Sequence, residues 1–286
     1  MAAITAKQSP KRKIKISTIL LTILFVIIGL SMLIPLIWMI SASMKPEADV
    51  FNFPIEWIPR RWSAVENYRT VWGGEYNFGK YYWNSIKVAV GATFLQVFFS
   101  ALGAYGFSKV SWKGRDTLFT LYLATMMIPE QVTIVSRFLI TRGIGLYNTH
   151  LGLILMLSFS VYGVFLLRQT MMAIPESLSE SARMDGANHW QIFSRIILPI
   201  TQPTIATLAI LKFTWTWNDY QHPLVFITNP KLYTVQQGMQ MFASQSGVYY
   251  SLTMAAAVSS ILPLLLIFII GQKYIIGGIS AGAVKG

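Results

Sequence analysis

Residues 16–40 form a run of 25 mostly apolar residues without a single charged side chain. A secretory signal carries an apolar core of only about 7–15 residues, whereas a helix needs roughly 20 to cross a bilayer. The run is therefore read as a transmembrane helix. Lipid offers no partner for backbone N–H and C=O groups, so a single crossing segment must be helical. Five more apolar stretches follow, at about residues 82–107, 117–140, 150–167, 196–217 and 252–270. The expected fold is all-α, a membrane protein with six transmembrane helices.

Composition supports that class. Charged residues make up 12% of the 286, against about 25% in soluble domains, and mean hydropathy is +0.52. There is no cysteine, so disulfides and thiolate metal sites are excluded. The net charge of +12 does not point to nucleic acid, because its basic residues are scattered. The one dense run, Lys11-Arg12-Lys13 with Lys15, directly precedes the first apolar stretch. Basic residues there read as a cytoplasmic anchor under the positive-inside rule.

That rule gives a parse: a cytoplasmic basic tail at 1–15, the first helix at 16–40 and an extracytoplasmic loop at 41–81. A five-helix core at 82–270 and a cytoplasmic tail at 271–286 complete it. Both termini are then cytoplasmic. Lys and Arg number 12 in the inside segments and eight in the outside ones, where six acids accompany them. Trp57, Pro59, Trp62, Tyr68 and Trp72 suit a partly ordered loop at the membrane–water interface.

Within the third span, Met126, Met127, Pro129 and Glu130 interrupt the apolar pattern. Proline breaks a helical hydrogen bond, and a carboxylate at membrane depth seldom faces lipid. These four are candidates for the translocation path; the alternative places Glu130 near the outer interface. Lys212, in the fifth span, is expected to snorkel towards the outer face.

The polar island at 176–199 sits between two apolar runs. Pro175 suits a helix start at Glu176, and Gly186 offers a left-handed residue to end that helix near Met184. Asn188 with Gln191 three residues on reads as the cap of a second helix. That second helix carries Trp190, Phe193 and Ile197 on one face and feeds the fifth span at Leu198-Pro199. Such a charged element, at a membrane surface, is placed to dock a soluble partner.

No G-x-x-x-x-G-K-[ST] phosphate loop occurs, nor a Gly-x-Ser-x-Gly elbow, and His150, His189 and His222 lack a second ligand at metal spacing. No catalytic residue, cofactor or metal is expected, and the chain is not expected to be an enzyme. Glu176, Glu180 and Asp185 read as docking charges rather than acid–base groups.

The island also carries a resemblance. Glu180-Ser181-Ala182, three residues, Gly186, nine residues and Ile196-Ile197-Leu198-Pro199 resemble the EAA loop of ABC importer permeases, with Ser181 in place of the first alanine. Beyond it, Asn84-Ser85, Ala104 to Ser108, Met127-Ile128-Pro129, Asp185-Gly186-Ala187, Trp217-Asn218 and the terminal Gly282-Ala283-Val284-Lys285-Gly286 are similar to the MalG-type permeases of carbohydrate importers. The resemblance implies a type I ABC importer permease fold in a bacterial cytoplasmic membrane. It implies four kinds of contact: a second, MalF-type permease, two cytoplasmic ATP-binding subunits, an extracytoplasmic solute-binding protein and membrane lipid. It also implies that Glu180, Ser181, Ala182, Asp185, Gly186 and Ala187 couple the chain to the ATPase, and that Ala283, Val284, Lys285 and Gly286 contact it. A permease for a polyol or glycerol phosphate is the alternative; an ion-coupled transporter is a third reading, with only Glu130 as a candidate coupling charge within the spans.

Overall fold

The computed structural model describes residues 16–74, 76–244 and 247–283; the basic tail and Val284, Lys285 and Gly286 lie outside the described residues. Helix α1 (Ile16–Ser43) is apolar on every side, and most of its side chains are exposed, as suits a helix in lipid. It leans against the last helix of the chain. Its end is polar and covered: Ser41, Ala42 and Ser43 are buried, and Asn67 donates to the Ser43 and Lys45 carbonyls at 2.9 and 2.8 Å.

The bundle is built round α3 (Phe78–Ser108), which follows a short helix α2 (Ala64–Trp72). Ser85, Ala89, Ala92, Gln96, Ser100 and Ala104 form a buried stripe of mostly small residues along α3. Small residues let helix backbones approach, which is how helices associate where no water drives them together. One close approach shows why Gly163 is a glycine. A Cβ there would stand 2.5 Å from the Ser100 Oγ.

Three of the expected spans are broken. The third divides into α4 (Arg115–Ala124) and α5 (Glu130–Gly143), which with the intervening 3₁₀ turn meet at 101°. Pro129 is the cause: the residue before a proline is pushed out of the helical region, and Ile128 is extended at φ −80°, ψ 115°. The fourth divides into α6 (His150–Met156) and α7 (Val161–Met172), bent by 48°. Thr149 and Ser160 cap the two halves, accepting from Gly152 N and Gly163 N at 3.0 and 3.1 Å. This span ends at Met172 rather than near 167, because Arg168 is buried. It donates to the Phe107 carbonyl at 3.0 Å and to Asp116 at 2.9 Å.

The island carries α8 (Glu176–Met184), followed by α9 (His189–Ile200) and α10 (Gln202–Asn218), which meet at 76°. Pro199 and Pro203 remove two helical donors round Thr201, and Phe193–Ile197 widens into a π turn. After α11 (Gln221–Phe226) and α12 (Val235–Gly238), and a two-residue hairpin, β1 (Ala243–Ser244) with β2 (Gly247–Val248), comes α13 (Tyr250–Ala283). It runs on helically past 270, where a separate tail was expected. Its start is held by Glu47, whose carboxylate accepts from Tyr250 N and Ser251 N at 2.9 and 2.8 Å.

Of the apolar cores along α3, two lie towards its ends. Near the island, Ala101, Ala104, Leu167, Met171, Ile192 and Phe193 pack together. At the opposite end, Val71, Phe78, Trp217, Val235 and Phe242 do so under a cap made of the long loops.

Candidate functional site

The island is a helix, a glycine turn and a second helix, as its residues suggest. Gly186 stands at φ +83°. Gly186 N donates to the Arg183 carbonyl at 3.0 Å, and Ala187 N to the Ala182 carbonyl at 2.9 Å. This pair of bonds is a Schellman ending, which joins the residue three before the cap to the one two beyond it and brings their side chains together. It explains the spacing: Ala182 and Ala187 both pack on the core of Met171, Ile192 and Phe193, and Gly186 makes the turn between them. Asn188 and Gln191 then form a reciprocal capping box at 2.9 and 2.8 Å. Glu180, Ser181 and Asp185 are exposed, as is Met184. In the second helix Phe193 and Ile197 are buried, but Trp190 is 58% exposed rather than sharing their face.

The island end of α3 grips both limbs. Lys109 is buried; its Nζ donates to the Ile174 carbonyl at 2.6 Å and pairs with Glu176 at 3.3 Å. Glu176 also pairs with Arg183 at 2.9 Å. Tyr105 reaches the other limb, its hydroxyl 3.1 Å from His189 Nδ1 and its ring 5.2 Å from Phe193.

Mid-bundle, a cavity of about 450 Å³ opens between α3, α5, α7 and α10. Gln96, Glu130, Phe159, Tyr162, Lys212 and Trp215 are on its wall. Lys212 does not snorkel out to the surface. It is 8% exposed, with its ammonium 4.6 Å from the Trp215 ring centre. Glu130 pairs with Arg137 at 3.0 Å. His222 is buried between two acids, its Nδ1 2.8 Å from Asp219 and its Nε2 3.1 Å from Glu130, the second contact too poorly aligned to be a hydrogen bond.

Of the four path candidates, Glu130 lines this cavity, while Met126, Met127 and Pro129 are exposed on the single chain. Ala283 is the last described residue of α13. Gln96, Lys212, Asp219 and His222 were not singled out for the site by sequence, since Gln96 and Glu130 lie far in the chain from the other three. Glu130, His222 and Asp219 converge, but with the imidazole between the two carboxylates, and among the described residues no group of three His, Asp or Glu side chains is arranged to hold a metal ion.

Apolar helices, three of the expected spans broken, beside an open cavity with charged side chains on its wall have the build of a membrane permease. Residues 96–280 match the family described as binding-protein-dependent transport system inner membrane component, and the chain belongs to that family. It is 32% identical to the arabinooligosaccharides transport system permease protein AraQ of Bacillus subtilis (strain 168), covering 94% of this chain and 96% of AraQ. It is 32% identical to the diacetylchitobiose uptake system permease protein NgcG of Streptomyces coelicolor, covering 98% and 92%. Its fold is similar to a chain of a bacterial ABC transporter involved in the import of the acidic polysaccharide alginate. The TM-score is 0.81 at 24% identity, over 94% of this chain and 99% of that one.

Proposed function

We propose that the chain is one transmembrane subunit of an ATP-driven ABC importer that carries a sugar or oligosaccharide across the bacterial cytoplasmic membrane. It pairs with a second permease and takes solute from an extracytoplasmic binding protein. It crosses the membrane six times, each broken pair counting once, with both termini cytoplasmic. ATP is hydrolysed by two partner subunits, which α8 and the end of α13 engage. The similarity to AraQ and NgcG supports a saccharide cargo over a polyol or a glycerol phosphate. Family membership speaks against ion coupling, although the charges at Glu130, Lys212 and His222 would suit it.

The observation that carries the coupling role is the two-faced build of α8. Ala182 and Ala187 fasten it to the bundle core, while Glu180, Ser181 and Asp185 are exposed, with no side-chain partner among the described residues. A soluble subunit that seizes the outward face moves whatever Ala182 and Ala187 hold. Glu180→Lys reverses a docking charge without touching the core. Uptake is expected to collapse while membrane insertion stays normal. Wild-type uptake by this variant would remove Glu180 from the contact.

A further inference from the structure

The loop after α1 turns an apolar strip outward. Phe51, Phe53, Ile55, Trp57 and Ile58 are all exposed, Phe53 by 93% and Ile58 by 76%, and Glu56 is the one charge among residues 51–58. Contiguous exposed apolar surface marks a contact with another protein or with lipid.

The height of the strip decides between them. The charge of Lys15 marks one boundary of the α1 span. Trp38 lies about 33 Å along the helix from Ile16, close to the roughly 30 Å of bilayer hydrocarbon, so it stands at the other boundary. The strip is fastened at that level. The Phe51 ring is 5.9 Å from the Trp38 ring, and the Glu56 carbonyl accepts from Lys45 Nζ at 2.6 Å and from Ser41 Oγ at 3.4 Å. The loop therefore folds back beside the end of α1 instead of rising above it. There it continues the exposed apolar surface of that helix, which runs on through Ile37 and Ile40. Partners that come and go bury surfaces with many polar groups. This strip offers one carboxylate, Glu56, and Arg60 already holds it at 3.0 Å.

We propose that residues 51–58 are an interfacial anchor that binds the bilayer surface at the Ser43 end of α1, with Phe53, Ile55 and Ile58 among the upper acyl chains. Aromatic side chains favour that layer. The set differs from the one the sequence offers: Pro59 is buried, the Tyr68 hydroxyl is 3.2 Å from Ser43 Oγ, and the Trp72 indole donates to Ser259 at 3.2 Å. The strip also touches the bundle. Phe51 meets the Tyr250 ring edge-on at 4.7 Å, and Glu47 caps the same turn. Lipid that grips the strip thereby sets the height at which α13 begins.

The chain has no cysteine, so Phe53→Cys and Ile58→Cys each give a single thiol for a small fluorophore. Both side chains are exposed, so neither change opens the core. Each labelled chain is assembled with cysteine-free partner subunits in phospholipid nanodiscs, and a monodisperse complex confirms folding. The quenchers are a lipid with a nitroxide on its upper acyl chain and iodide in the water. Strong quenching by the lipid is expected at both positions, with iodide quenching severalfold below that of the free dye. Stronger quenching by iodide than by the lipid would put the strip in water. Quenching by neither would put it under a protein subunit. Either result overturns the anchor and leaves the transport reading standing.

Discussion

Replacing Lys109 by Met would loosen the island without touching its outward face. The buried Nζ makes a 2.6 Å bond to the Ile174 carbonyl, where α7 gives way to α8, and a 3.3 Å pair with Glu176. A hydrogen bond with a charged partner contributes about 1.5–3 kcal/mol. The Glu176 side chain is 46% exposed, so that pair adds at most about 1 kcal/mol. Removing a buried ammonium returns part of its desolvation cost. The net is about 2 kcal/mol, all of it local to the join between α7 and α8. Local opening of α8 would then rise about 30-fold. Hydrogen exchange read by mass spectrometry should show that rise at the amides of residues 179–184, with the middle of α3 and the start of α13 unchanged. Uptake per ATP hydrolysed should fall. Unchanged protection of α8 would mean that Lys109 does not hold it, and the mechanical reading of the α3 grip would be wrong.

Other perturbations separate the remaining forces. Gly186→Ala places a side chain at φ +83° with no atom within 4 Å of the new Cβ, so only backbone strain acts, about 1–2 kcal/mol; the island should lose exchange protection while the bundle's melting temperature barely moves. Glu47→Gln keeps the shape but removes the charge at the start of α13, and should cost about 0.5–2 kcal/mol in thermal unfolding. Gly163→Leu drives a side chain into Ser100, and should abolish insertion-competent folding, read as loss of a monodisperse peak in detergent. In the cap, the Arg61 hydrogen bond holds the Asp49 carboxyl below its ordinary pKa. A depressed native value stabilises above the ordinary carboxylate range and is lost as pH falls through the native value. Proteolysis of the cap loop should therefore accelerate at acid pH in the wild type, and Asp49→Asn should flatten that dependence.

Much of this architecture is legible in the residues. Apolar length marks the spans, and Pro175, Gly186 and the Asn188–Gln191 pair mark the island, because caps and glycine turns are local chemistry. Pro129 marks a break, yet not its 101°, since a proline frees the chain to turn while the packing round it decides how far. The facing of Lys212 was misjudged for a related reason. Its helix is apolar nearly all round, so no periodicity tells which side meets lipid and which meets a cavity. His222 gave no signal at all: it is a lone histidine until the fold brings Glu130 to it from 92 positions away.

Helix α3 carries no proline and no break from Phe78 to Ser108. Tyr105, in contact with the second limb of the island, and Gln96, on the cavity wall, are nine residues apart on it, about 14 Å along one rigid rod. A push delivered at the rod's foot therefore reaches the chamber with no joint to absorb it; under the coupling role proposed above, the step that spends ATP and the step that lets go of cargo would share a single moving part.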